Sequence, residues 1–124
     1  MLKNASIQTT LPAQDMSRAR SFYSTKLGLE PVEESPAGLT YECSGGRFFL
    51  FPSSGKPAGS HTQIGFRVEN IETEVSELKR RGVSFEEYNF PGLKTVNGIA
   101  VTGPNRSAWF KDSEGNLLGV VQRS

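Results

Sequence analysis

The sequence predicts an α+β fold in which two βαβββ modules follow one another within a single domain, residues 1–124. Three observations predict it. The order strand, helix, three strands occurs twice. The helix caps recur at matched distances: Gln8 to Asp15 and Gln63 to Asn70 are each seven residues, and each cap lies thirteen or twelve residues before the glycine closing its helix, Gly28 or Gly82. In each half a glycine also introduces a final apolar strand, Gly46 before RFFLF and Gly115 before NLLGV. A repeat of about 55 to 69 residues marks an internal duplication. The modules span about residues 5–52 and 61–122, joined by the linker-like stretch PSSGKPAGS at about 52–60.

Along the first module, Ile7, Thr9 and Leu11 alternate with Ser6, Gln8 and Thr10, the period of a half-buried strand. Pro12 ends it. Asp15 is placed to cap a helix by accepting from its unpaired first-turn amides, with Ala19, Phe22 and Tyr23 at helical spacing and Leu27-Gly28 at the close. Strand-like pieces follow at Glu30 to Ser35, Leu39 to Cys43 and Arg47 to Phe51, separated by the turns Pro36-Ala37-Gly38 and Ser44-Gly45-Gly46. The second module opens with a strand from Gln63 to Val68. Asn70 caps a helix with Ile71, Val75 and Leu78 inward and Glu72, Glu74, Glu77 and Lys79 outward. Further strands are expected at Ser84 to Tyr88, Ile99 to Thr102, Ser107 to Lys111 and Leu117 to Gln122. The extra length of this half falls in Phe90 to Pro104, a loop long enough to form a lid or rim.

Composition narrows the function classes. With 14 Lys and Arg against 13 Asp and Glu, the net charge of +1 gives no footprint for nucleic acid or an anionic membrane. The one basic run, Lys79-Arg80-Arg81, closes a helix, where cations suit the dipole. Eight Phe, three Tyr and one Trp suffice for a core. The single Cys43 excludes an internal disulfide framework and a multi-cysteine zinc site, and reads as an inert thiol. No stretch reaches the roughly 20 apolar residues of a membrane span and no signal-peptide pattern opens the chain, so the expected location is the cytoplasm.

Common catalytic patterns are missing. One His and one Cys leave little room for a nucleophilic triad, and no G-x-S-x-G elbow occurs. Ser44-Gly45-Gly46-Arg47 is a turn with no helix after it, unlike a phosphate-cradling loop. Glu33-Glu34 and Glu86-Glu87 are adjacent pairs on strands, so each pair splits between opposite faces and makes a poor acid/base dyad.

Two motifs then carry a resemblance. The first half holds Asp15, Ala19, Phe22 and Tyr23 followed by Leu27-Gly28-Leu29. The second ends on AWFKDSEGNLLGVVQ, Ala108 to Gln122, an aromatic strand, a D-x-x-G-N turn and an apolar strand. With the duplication, the chain resembles the vicinal oxygen chelate superfamily of glyoxalase I, extradiol dioxygenases and bleomycin- and fosfomycin-resistance proteins, over nearly its whole length. That resemblance implies a cupped mixed sheet holding a ligand, and a homodimer. Metal-using relatives place His or Gln on the first strand of each half and Glu on the last. The matching points here are Gln8, Leu50, Gln63 and Gly119, with both carboxylates absent. Two neutral amides do not hold a hard divalent cation, so the expectation is no metal and no cofactor. His61, two residues before Gln63, together with Glu42, is the alternative that would rescue a weak site.

Same-face reasoning on the cup puts Gln8, Thr10, Phe48, Leu50, Gln63, Arg67, Trp109, Leu117 and Gly119 on the concave side. Arg67 suits a ligand carboxylate or phosphate, Trp109 a planar ring or cation, and Gly119 leaves space where a Glu would stand. The facing of Tyr41 and Tyr88 stays open. The leading reading is a metal-free protein enclosing a small, partly apolar or aromatic molecule. A metal-dependent lyase (lactoylglutathione lyase-like), isomerase or dioxygenase is the alternative, and a ligand-free structural or regulatory module the third.

Overall fold

The computed structural model describes residues 1–123. A 3-10 turn at Leu2–Asn4 precedes the first module, which comprises β1 (Thr9–Ala13), α1 (Met16–Leu27), β2 (Glu33–Ser35), β3 (Gly38–Cys43) and β4 (Gly46–Pro52). The second comprises β5 (Ile64–Arg67), α2 (Ile71–Arg80), β6 (Asn89–Phe90), β7 (Leu93–Val96), β8 (Ile99–Thr102), β9 (Asn105–Lys111) and β10 (Leu117–Gln122). The sheet orders are β1-β4-β3-β2 and β5-β10-β9-β8-β7-β6. In both, the first strand runs parallel to the last and the remaining pairs are antiparallel. Two βαβββ-like modules with mixed sheets are thus present.

The helices start and stop where local chemistry dictates. Asp15 accepts from the Arg18 amide at 3.0 Å and Asn70 from the Thr73 amide at 3.0 Å, each supplying one of the unpaired first-turn donors with an acceptor. Their inward residues, Ala19 and Tyr23 on α1 and Ile71 and Val75 on α2, are buried. One hydrophobic cluster draws on both modules, and Phe48 meets Phe66 edge to face across their junction at 6.4 Å between ring centroids.

Polar contacts reinforce that junction. The Asp112–Asn116 turn of the second module seats against the β1–α1 corner of the first. Tyr23 donates its hydroxyl to Asp112 Oδ2 at 2.7 Å, Asn116 Nδ2 donates to the Pro12 carbonyl at 3.0 Å, and Glu114 takes the Gln14 and Asp15 amides at 3.0 Å each. Both sequence motifs therefore meet at one place.

Several element boundaries differ from the sequence expectation, among them β2, which begins at Glu33 rather than Glu30, and β9, which begins at Asn105 rather than Ser107. The first strand is Thr9–Ala13: it starts late, leaving Gln8 ahead of it and exposed. It continues through Pro12 instead of ending there, since β1 is the edge strand of its sheet and tolerates a residue without an N–H. The 84–88 segment is no regular strand: it lies along β9 through a single Phe85–Phe110 bridge and the Glu86 amide bonded to the Trp109 carbonyl at 2.8 Å. In the 90–104 stretch the expected strand Ile99–Thr102 is present as β8, but the part before it, expected as loop, forms β7 and closes a β7–β8 hairpin. Its turn is Asn97-Gly98, with φ of 55° and 87°, the left-handed pair of a tight two-residue hairpin.

Candidate functional site

Alternation and register decide which side chains face away from the helices. Leu11, Phe48, Leu50, Phe66, Ala108, Phe110, Leu118 and Val120 belong to the helix-side core. Their neighbours in sequence therefore form the opposite, concave face. On the first sheet that face carries Thr10, Arg47 and Phe49, with Thr10 and Phe49 directly paired. On the second it carries Gly65 and Arg67 of β5, Leu117 and Gly119 of β10, and Trp109 of β9. Gly65, Gly119 and Trp109 form one cross-strand row.

This geometry corrects two expected site residues. Phe48 and Leu50 are 4% and 0% exposed and share the face of Thr9 and Leu11, under α1. Phe48 stacks on Tyr41 at 4.9 Å and touches Tyr23 at 5.7 Å. The register Gly65–Gly119 in the second module corresponds to Thr10–Phe49 in the first, so Phe49 occupies the point assigned to Leu50. In RFFLF four of five positions are apolar and successive, so the string carries no phase. Only the pairing with β1 reveals it.

Thr10, Arg67, Trp109, Leu117 and Gly119 lie on the concave face, and Gln8 precedes it in an exposed position. The space over Gly119 is already taken. A Cβ built there would stand 3.2 Å from the Thr62 methyl and 3.5 Å from Trp109 Cδ1, so the absent side chain lets the indole lie down on the sheet. Gly65, not among the expected lining residues, has nothing among the described residues within 4 Å of its Cβ position and is the open part of the row. Trp109 also packs edge to face against Tyr88 at 5.5 Å, which continues to Phe90 at 6.0 Å; Tyr88 thus lies on the cup side and Tyr41 in the core.

Charge on this face is uneven. Arg47 is neutralised by Glu42 at 2.7 Å and Glu33 at 3.8 Å. Arg67 makes no ion pair among the described residues. Both arginines, with Thr9, Phe48 and the β5 backbone, border a crevice of about 360 Å³ where the edge strand of one sheet approaches that of the other. Cys43 also lines it, and burial pushes its thiol pKa up, which keeps it protonated and unreactive.

The last-strand corners of the cup lack the carboxylates a hard cation needs. Gln63 Oε1, the atom an amide would offer a cation, accepts from the Leu117 amide at 3.3 Å. Glu42 is held by Arg47, His61 is exposed ahead of β5, and the two last-strand corners are Phe49 and Gly119. Among the described residues no group of three or more His, Cys, Asp or Glu side chains converges.

A duplicated βαβββ fold whose sheets offer a concave face lined by aromatic and polar side chains defines a class of small-molecule-binding architecture. The chain belongs to the Glyoxalase/Bleomycin resistance protein/Dioxygenase superfamily, whose family model matches residues 6–120. Comparison with curated proteins finds no match. Among solved structures it is similar to UcmS2 (20% identity, 92% of this chain and 94% of that chain, TM-score 0.72). It is also similar to a glyoxalase/bleomycin resistance protein/dioxygenase from Alicyclobacillus acidocaldarius (21%, 97% and 92%, TM-score 0.70). A third is TnmS3, an antibiotic binding protein from Streptomyces sp. CB03234 (21%, 98% and 98%, TM-score 0.63). At these identities the likeness is one of fold. Among the described residues no helix is long and apolar enough to cross a membrane.

Proposed function

We propose that the chain is a cytoplasmic, single-domain, homodimeric protein that encloses a small, partly apolar or aromatic molecule in the cup of its sheets without a metal. The observation that carries this reading is the row Gly65–Gly119–Trp109. An indole laid over one glycine borders an open, side-chain-free strip at the other, a surface suited to a flat ring. Arg67, two residues along β5 from Gly65 and on the same face, supplies a cation for a carboxylate or phosphate on that ring. Thr10, Phe49, Gln63 and Gly119 complete the proposed lining, with Gln8 at its rim. TnmS3, described as an antibiotic binding protein, lends the binding reading a relative of the same fold.

Trp109 is the only tryptophan, so its fluorescence reports the cup directly. Titration with a panel of aryl carboxylates and their amides is expected to quench it and to raise stability by about 2.7 kcal/mol at a hundredfold excess over Kd. Arg67→Met is expected to weaken the carboxylates about tenfold and leave the amides unchanged. A panel that moves neither fluorescence nor melting temperature overturns the binding reading. Stoichiometric metal in purified protein, lost on Gln63→Ala, overturns the metal-free part in favour of the metal-dependent enzyme.

A further inference from the structure

A second concavity lies on the opposite side of the molecule, between α2 and the β7–β8 hairpin, with a volume of about 700 Å³. Its existence follows from element lengths. α2 has 10 residues and covers β9 and β10, whereas the hairpin carries the sheet two strands further with no helix over it. The uncovered helix-side positions are nonetheless apolar. Val96 and Val101 are 64% and 66% exposed, beside Ile99 and the buried Val75. Contiguous apolar side chains left open on an unpartnered sheet face make a candidate binding surface.

Charge is arranged around that floor. The register Lys94–Val101–Arg106 across β7, β8 and β9 places a cation on either side of Val101. Among the described residues the only acid lining the groove, Glu72 on α2, is bonded to Arg106. Lys79, on the same flank of α2, donates to the Asn97 carbonyl at 3.0 Å and so ties the helix to the hairpin turn. Lys94 has no ion-pair partner among the described residues. With Arg106 held by Glu72 and Lys79 by the Asn97 carbonyl, Lys94 is the cation left for a ligand, at one end of a Val–Ile floor that leads toward the turn, a pattern complementary to an amphiphile with an anionic head and an alkyl tail. A volume of about 700 Å³ is in the range of small-molecule sites.

We infer that the groove between α2 and the β7–β8 hairpin is a binding site for a medium-chain alkyl carboxylate, with its head at Lys94 and its tail over Val101, Ile99 and Val96. The Val101 row and the Val96–Ile99 row are two residues apart, roughly 7 Å along the strands, a distance an octanoate tail spans. This site shares no lining residue with the concave face and stands or falls independently of it.

The test uses the full chain with octanoate, octanol and acetate as probes, followed by amide NMR shifts and calorimetry. Octanoate is expected to shift resonances in 93–101 and along α2, with octanol and acetate each binding about tenfold more weakly or less. Lys94→Gln is expected to weaken octanoate about tenfold, and Val101→Asp, at an exposed position that leaves folding intact, to abolish it. Trp109→Ala, in the other site, is expected to leave octanoate binding unchanged. The inference is overturned if octanoate produces no shifts, if the shifts fall on β5 and Trp109, or if Lys94→Gln and Val101→Asp have no effect. It is equally overturned if Lys94→Gln changes the oligomeric state, which would make the face a contact between copies of the chain.

Discussion

Tyr23 shows how much one side chain is asked to do. Its ring is buried against Tyr41 at 5.4 Å and Phe48 at 5.7 Å, inside the first module, while its hydroxyl reaches Asp112 in the second. Burial, and then the neighbouring Asp112 carboxylate, push the phenol's pKa far up, so it remains a donor at any pH the fold survives. Asp112 takes four donors: the Glu114 and Asn116 amides on Oδ1, and the Tyr23 hydroxyl and Asn116 Nδ2 on Oδ2. Removing one leaves a buried carboxylate oxygen short of a partner, which costs more than the net value of an ordinary hydrogen bond. Tyr23→Phe, which keeps the ring packing, is therefore expected to lose about 1–3 kcal/mol in urea unfolding with an unchanged m-value. A loss below about 0.5 kcal/mol would mean that the hydroxyl is incidental to the junction.

At the scale of elements, the β7–β8 hairpin depends on its turn. Asn97 and Gly98 both occupy the left-handed region, and the Gly98 amide donates to Glu87 Oε1 at 3.0 Å, which also accepts from Thr95 Oγ1 at 2.5 Å. A Cβ at position 98 would stand 3.0 Å from Phe85 Cβ in addition to adopting a disfavoured φ. Gly98→Ala is expected to cost about 1–2 kcal/mol and to raise amide exchange in 93–102 before it does so in α1. The Asn-Gly pair was available in the sequence as a hairpin signal, yet the surrounding Gly, Pro and Asn residues gave the segment the composition of a loop. The helices were legible because capping is local: Asp15 and Asn70 needed only the next three residues. The facing of β4 was not. Its string of aromatic and aliphatic residues is compatible with either phase, and the deciding facts, Thr10 opposite Phe49 and Leu11 opposite Leu50, are contacts between positions far apart in sequence. The open strip at Gly65 went unread for a related reason: a glycine advertises nothing until the neighbours that fail to fill its space are known.

For the whole molecule, the way two similar modules are held as one body sets how it responds to acid. Glu114 has no exposed side-chain surface, and Arg18 bonds both of its oxygens, at 2.7 and 3.0 Å. The Arg18 bond holds the carboxyl at about 2, well below its ordinary 4.5, helped by the Asp15 amide and Ser113 and opposed by burial. A carboxyl with a lowered folded-state pKa stabilises fully above its unfolded value, and that contribution disappears as pH falls through the folded value. The window is thus between about 4.5 and 2. Glu77 is also lowered to about 2 by Arg80 and Arg81, but both cations and the acid are exposed, so salt screens that contribution. The two are separable by experiment. Glu114→Gln is expected to cost about 2 kcal/mol at pH 7 and to flatten the fall in unfolding free energy below pH 4.5. Glu77→Gln is expected to do little at pH 7, and the little it does should fade in high salt. Because the Glu114 bonds cross from the second module to the first turn of α1, hydrogen exchange on acidification should open the 14–18 amides ahead of the β9–β10 hairpin. Uniform opening would show instead that apolar contacts such as Phe48–Phe66 hold the modules together and that the charged junction only orients them.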